Sequence, residues 1–322
     1  MKLLIAGAGT PAGKELITLF KQMDVFHQVI PDRILNTSDY EALGQLFDRH
    51  SPDQLINLLT YKAITQEAVS KAELAGDDCR VIHFQHVVML TKICEQRDIP
   101  LVQLSTCYVF DGEKKLGYNE QDGVDPVGFY GKSTVMGEQV VSKLPKHIIL
   151  RAGWMFGELQ CDVIKSWIKT CKRNAGVFSV LRRRFSPTAN EDLARVLVAI
   201  CRQIDCDANV WGTYHYCGLE TKKESEFVQQ VLKYASQYDE EIYQLLDSIK
   251  ISEIHASPPE VSNTTLSSKK TFDTFGIKQR SWHGDLKNTI KSLTQGTSDI
   301  DEESLSGQID NGPDPLSSRS LH

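Results

Sequence analysis

Among the 322 residues, no run approaches the roughly 18 uncharged apolar residues that a membrane span requires, so no membrane association is expected. Met1 already opens a short apolar segment, which leaves no visible secretory leader. Cysteine pairs are missing too: Cys79, Cys94, Cys107, Cys161, Cys171, Cys201, Cys206 and Cys217 are scattered with no Cys-x-x-Cys spacing. Without a leader they read as free thiols, and a cytoplasmic protein is expected. No metal is expected either, because His83 and His86 lie in an apolar helical stretch without a partner motif. An excess of positive charge is missing as well. The net charge is −6, and the segment from Gly296 to His322 holds six acids (Asp299, Asp301, Glu302, Glu303, Asp310, Asp314) against Arg319. The remainder is nearly neutral, which gives no electrostatic basis for binding nucleic acid.

What is present is ordinary for a globular chain, with 41% hydrophobic and 24% charged residues. The length allows one large or two modest domains with a substantial core. Hydrophobic patterning suggests a first domain over residues 1–157 and a second lobe over 158–293, interleaved with the first. Residues 294–322 fill with Ser, Asp, Gly and Pro and are expected to form a disordered acidic tail.

Met1 to Gly7 reads as a strand, followed by Ala8-Gly9-Thr10-Pro11-Ala12-Gly13 and a helix with apolar Leu16, Ile17, Leu19 and Phe20. Strand, glycine turn and helix together suit a dinucleotide, because glycines let the backbone approach a pyrophosphate that the helix N-terminus stabilises. The text fits two spacings: Gly7-x-Gly9-x-x-Ala12, or Gly7, Thr10 and Gly13 at intervals of three. Thr10 is expected to crowd the phosphate, whereas Pro11 suits a first helical turn. A second strand, Val25 to Ile30, leads to Asp32 and Arg33. An acid there grips a ribose 2′-hydroxyl and an arginine accepts a 2′-phosphate, so NAD and NADP both stay open. Ser38 to Glu41 reads as a capping box for a helix to His50. The third strand spans Gln54 to Thr60. A helix from about Cys79 to Arg97 carries an inward stripe of Val81, Phe84, Val88, Leu90, Ile93 and Cys94.

The stretch from Leu104 to Val141 ends a fourth strand at Ser105-Thr106, crosses a polar loop, and enters a helix with Tyr130. That order places a hydroxyl and a tyrosine at the carboxyl edge of the sheet, where open α/β folds bind ligands. Ser105-Thr106-Cys107-Tyr108-Val109-Phe110-Asp111-Gly112, then Tyr130-Gly131-Lys132-Ser133-Thr134 and Gly137-Glu138, resembles the dTDP-4-dehydrorhamnose reductase family of extended short-chain dehydrogenases. Further landmarks run to Thr274-Phe275-Gly276-Ile277, so the resemblance covers roughly residues 1–293. It implies a Rossmann-like doubly wound parallel sheet, α/β in class, with a smaller C-terminal α/β substrate lobe.

The resemblance further implies catalytic roles for Tyr130 as proton donor and Thr106 as polariser of a carbonyl, with Ser105, Leu58, Leu59 and Thr60 beside the cofactor. It also implies a nucleotide-sugar substrate, with Trp154 as a wall stacked on the base. Two positions depart from the family pattern: Cys107 stands for aspartate and Thr134 for the lysine that tunes the tyrosine. A phenol with no cation one helical turn away stays near its ordinary pKa of ~10. Lys132, two residues on, should face away from Tyr130. Leu58 and Leu59 replace small residues and should narrow the groove. Arg183, within Arg182-Arg183-Arg184, is a candidate diphosphate clamp that is this chain's own feature. The expected function is a dTDP-4-dehydrorhamnose reductase-like protein that binds NAD(P) and a sugar nucleotide with weak or no turnover. The alternative is an active NAD(P)H-dependent reductase of a 4-keto nucleotide sugar. A homodimer or a regulatory protein partner stays open.

Overall fold

The structure is a computed structural model and describes residues 1–61, 66–255, 258 and 260–295. Six parallel strands form the main sheet. In chain order they are β1 (Leu3–Ala6), β2 (His27–Val29), β3 (Gln54–Asn57), β4 (Leu101–Thr106), β5 (His147–Ala152) and a last strand, Gly212–Tyr216. In space the last strand lies beside β5, followed by β4, β3, β1 and β2. Chain progression therefore reverses between β1 and β3, and the crevice of such a sheet opens at their carboxyl ends, Ala6 and Asn57.

Alternation along β1 shows why the sheet is covered on both faces. Leu3 and Ile5 enter one core with Leu16 and Phe20 of α1 (Pro11–Gln22), whereas Leu4 and Ala6 enter the other with Leu43 and Phe47 of α3 (Tyr40–His50). All six residues of β4 are buried, as a central strand of a parallel sheet requires. A third core gathers Trp154, Trp167, Phe185, Phe227 and Trp282 among the helices Asp162–Arg173, Glu224–Ala235 and His283–Gln295.

Several element boundaries differ from expectation. The second strand keeps only His27–Val29, and the third stops at Asn57 because the chain then turns across the crevice. The cap of α3 is Asp39, whose carboxylate accepts from the Ala42 N–H at 2.9 Å; Ser38 sits one residue outside with φ of 53°. The helix expected to begin at Cys79 starts at Gly76 and contains a π turn over Val81–Gln85 before continuing as His86–Arg97. The extra residue of a π turn rotates the phase of the stripe, so Val88 is exposed and Val87 takes the inward position. The last helix runs to Gln295, which makes residues 294 and 295 helical; the rest of the expected tail lies outside the described residues.

Candidate functional site

The crevice has two halves. At the first, Gly7 adopts φ of +79° and packs so closely on the next crossover that a Cβ would lie 2.6 Å from the Leu59 nitrogen. Gly13 brings the helix equally near: a Cβ there would meet the Gly7 carbonyl at 2.2 Å. These two glycines are therefore packing requirements, whereas Gly9 faces open space. Thr10, expected to crowd a phosphate, has a second task in the structure. It caps α1, its hydroxyl donating to the Gly7 carbonyl at 2.7 Å and accepting from the Gly13 N–H at 3.1 Å. Pro11 occupies the first helical turn, and Ala12 turns into the core.

A cavity of about 380 Å³ opens beside this turn, bordered by Gly7, Gly9, Thr10, Pro11, Asp32 and, across from them, Leu59, Thr60 and His86. Asp32 opens the short helix α2 (Asp32–Asn36); Arg33 next to it is exposed and does not border the cavity. His86 is only 4% exposed. Neither ring nitrogen has a hydrogen-bond partner, and burial pushes the imidazole below its ordinary pKa.

The second half holds Tyr130, on the helix Phe129–Val141 and 1% exposed. Its hydroxyl lies 2.7 Å from the Thr60 hydroxyl, and burial pushes the phenol far above its ordinary pKa. Thr134, one turn on, donates to the Tyr130 carbonyl at 2.9 Å and sits 3.1 Å from Nδ1 of His83. His83 is held from two sides. Its Nε2 accepts from the Tyr61 N–H at 2.9 Å, which assigns the proton of the neutral ring to Nδ1, 2.9 Å from the Ser133 hydroxyl. Burial lowers this histidine to about 4, so the ring beside Thr134 carries no charge at neutral pH. Lys132 is exposed, in keeping with its place two residues from Tyr130.

Ser105 and Thr106, at the end of β4, are buried here as well. The Ser105 hydroxyl donates to Glu138 Oε1 at 2.5 Å, and Glu138 is gripped by Arg151 through Nε at 2.9 Å and a terminal nitrogen at 2.7 Å. Thr106 accepts from the Tyr108 N–H at 3.2 Å. Cys107 is fully buried and its thiol is pushed up to about 12, which suits an apolar filler and not a nucleophile. The cavity bordered by Ser105, Thr106, Tyr130 and Glu138 measures about 20 Å³, room for one water and little more.

Leu59 and Thr60 border both cavities and divide them. The segment is tied down: the Leu59 N–H donates to the Asn57 side chain at 3.0 Å, Thr60 meets Tyr130, and the Tyr61 N–H meets His83. Of the two leucines expected to narrow the groove, Leu58 does not. It is buried in the sheet core, because the strand ends one residue earlier and alternate side chains take opposite faces.

Two expected substrate residues lie elsewhere. Trp154 is 1% exposed and packs among Phe156, Trp167, Phe185 and Phe227 in the third core, so its ring faces are taken. Arg183 is buried against Glu224 and stacks over Phe185, so its charge is neutralised within the protein, which leaves no free clamp for a diphosphate. His83, His86 and the Glu138–Arg151 pair were not foreseen as parts of the site. The available signal was a pair of imidazoles three residues apart on an otherwise apolar helix.

The family model described as RmlD substrate binding domain matches residues 1–295. The chain is 29% identical over 292 residues to a dTDP-4-dehydrorhamnose reductase of Aggregatibacter actinomycetemcomitans, spanning 89% of this chain and 97% of that protein. It is 24% identical to a spore coat polysaccharide biosynthesis protein of Bacillus subtilis, over 90% of this chain and 97% of that one. Among solved structures, a dTDP-4-dehydrorhamnose reductase of Clostridium acetobutylicum superposes with a TM-score of 0.75 at 26% identity, covering 91% of this chain and 99% of that one. A Bacillus anthracis dTDP-4-dehydrorhamnose reductase, solved in complex with NADP, shares the fold with a TM-score of 0.72 at 23% identity, over 90% and 97% of the two chains.

Proposed function

The chain belongs to the RmlD substrate binding domain family, and from that premise we propose that it binds NAD(P) and a nucleotide sugar in the manner of dTDP-4-dehydrorhamnose reductases, with weak or no reductase turnover. The residues of the glycine turn fit the phosphate side of such a cofactor: Gly9 leaves open space, Thr10 starts the helix, and Asp32 borders the cavity. Asp32 at the cavity with Arg33 outside it favours a free ribose 2′-hydroxyl, although the B. anthracis relative holds NADP. When bound, the group supplies a hydride. What this chain would add is a proton at the Tyr130 hydroxyl, and burial makes that proton hard to release.

The observation that carries the weak-turnover reading is the bond between Thr60 and Tyr130, which places a side chain on the phenol where a carbonyl would have to sit. Thr134 adds to it, with a hydroxyl bonded to the backbone in the place of the family's lysine. The test follows NADPH or NADH oxidation by the purified protein with a 4-keto dTDP-sugar. Turnover below about 10⁻² s⁻¹ is expected, against a usual range of roughly 1–10³ s⁻¹, and a rate inside that range overturns the proposal. The second reading, an active reductase, is favoured by Tyr130 and Thr106 bordering one cavity and by likeness along nearly the whole of a curated reductase; the same assay decides it. Free thiols, seven of the eight buried, suit the cytoplasm as the place of this activity. No described helix is long and apolar enough to cross a membrane.

A further inference from the structure

We propose that the basic face of the helix Asp162–Arg173 is the docking surface for this chain's own acidic segment, residues 299–303, with Asp299, Asp301 and Glu303 set against Lys165, Lys169 and Arg173. The proposal is independent of what the crevice binds.

The helix buries Ile164, Trp167 and Cys171 in the third core and turns its opposite face outward. Lys165, Lys169 and Arg173 are exposed and stand four residues apart, so they share that outer face. Lys172, the other cation of the last turn, is engaged by Asp239 at 2.5 Å and by Glu241 at 3.4 Å. The three on the stripe make no ion pair with an acid among the described residues. A groove of about 580 Å³ runs along them, and the acid that borders it, Asp162, leaves a surplus of positive charge. Such a surface fits a partner rich in carboxylates.

Carboxylates of that kind lie close by in the chain. The last helix packs into the same core and ends at Gln295. Past it, outside the described residues, Asp299, Asp301, Glu302 and Glu303 crowd into a short stretch with no cation among them. The helix Glu224–Ala235 packs against both the helix Asp162–Arg173 and the last helix. The two outer helices are thus about two interhelical spacings apart, roughly 16–20 Å. From Gln295 an extended chain reaches Glu303 at about 26–29 Å, so the acids span the gap with little slack and stay concentrated beside the stripe. The spacing agrees too. Four residues of helix rise about 6 Å and alternate residues of an extended chain advance about 6.6 Å, so carboxylates at 299, 301 and 303 keep step with the three cations. Each exposed pair is weak and screened by salt, so docking needs several pairs together and dissolves as ionic strength rises.

The experiment is carbodiimide cross-linking of the full chain, which joins carboxylates to lysines in contact, read by peptide mass spectrometry beside lysine acetylation rates. Within the monomer, the peptide holding residues 299–303 should join Lys165 or Lys169, and the product should fall about fivefold or more between about 20 mM and about 500 mM salt. Asp299→Asn, Asp301→Asn and Glu303→Gln together should raise acetylation of Lys165 and Lys169 about threefold or more. Lys21, exposed on α1, should not respond. Glu302→Gln alone should change the two rates by less than about 1.5-fold. Products at Lys287 and Lys291 of the last helix in place of Lys165 and Lys169, or products spread over all surface lysines, overturn the proposal. Product found only in covalent dimers overturns it as well, giving the stripe to the acidic segment of a second copy. Acetylation rates that the triple variant does not move overturn docking, and an effect of Glu302→Gln as large as that of the triple variant overturns the pairing of alternate acids.

Discussion

The glycine-turn half of the crevice and the tyrosine half are built from the same kinds of side chain and differ in whom those side chains serve. Around Tyr130, most polar groups satisfy one another: Thr60 with the phenol, His83 with Tyr61 and Ser133, Ser105 with Glu138, Glu138 with Arg151; the Tyr108 hydroxyl, on a ring edge-on to Tyr130, is the exception. At the glycine turn, the space is larger and an imidazole is left without a partner. A site awaiting a ligand leaves polar groups unmet, at a cost to stability that the ligand removes; a site that has closed on itself has spent them. On the proposed reading, Thr134 in the place of the lysine that the resemblance implies is one sign among several that this end of the crevice has closed on itself.

That contrast is tested most severely by stability. Glu138 and Arg151 are almost wholly buried, so Arg151→Met leaves a carboxylate with only the Ser105 hydroxyl and should cost about 3–5 kcal/mol in urea unfolding. Adding Glu138→Gln should recover much of the loss. His86→Leu, at a comparably buried position in the other half, removes unmet polar atoms and should leave stability unchanged or raise it. Equal losses from Arg151→Met and His86→Leu would erase the difference between the halves.

How much of this was legible in the sequence depends on how far apart the partners lie. Strand, glycine turn and helix at Leu3–Gln22, and the hydroxyls and tyrosine of Leu104–Val141, follow from local periodicity and turn residues, and the structure sets both at the crevice. The Thr60–Tyr130 bond joins residues 70 apart in sequence, and no local pattern announces it. Which of Leu58 and Leu59 enters the groove hangs on where β3 stops, since a shift of one residue exchanges the faces. The π turn that brings His83 inward disturbs a stripe that read as a plain helix. Trp154 was placed by resemblance and Arg183 by its run of like charges, and in this chain the third core and Glu224 have claimed them.

The closed half should also be sensitive to acid. His83 ordinarily titrates near 6.5 and is lowered to about 4 by burial. Between those values the unfolded chain takes up a proton that the folded ring refuses, so stability is full above pH 6.5 and falls as acid is added. By pH 5 the loss from His83 alone is roughly 2 kcal/mol. His215, lowered to about 3, and His86 act in the same direction. Unfolding free energies at pH 7, 6 and 5 should show the decline, and His83→Gln should remove about one proton's worth of its slope. A slope unchanged in His83→Gln would mean that the ring is not sealed from solvent.

A smaller effect is expected in the open half, where Asp32 is exposed. Asp32→Ser should shift preference from ADP-ribose towards its 2′-phosphate by about tenfold, because an anion beside the 2′ position is lost while Arg33 remains next to it. Fold stability should change by less than about 0.5 kcal/mol, the scale of a helix-terminal charge. A large stability loss instead would show that the open half is as tightly self-paired as the closed one.

Smallest of all should be the effect of restoring the family's cation. Thr134→Lys puts an ammonium on the face of Tyr130, one helical turn along, and a nearby positive charge favours an ionised phenol. If the missing charge were the sole defect, the rate of carbonyl reduction would rise on the scale of general acid catalysis, about 10²–10⁴-fold. But the Tyr130 hydroxyl is bonded to Thr60, and the space beside it holds about one water. Thr134→Lys alone should thus leave turnover within about threefold of the unmodified protein. The double variant Thr60→Gly, Thr134→Lys should exceed what the single changes predict together, because opening the crevice and tuning the phenol are then both met. A hundredfold gain from the lysine alone would mean that substrate already reaches Tyr130, leaving charge as the one distinction between the two halves.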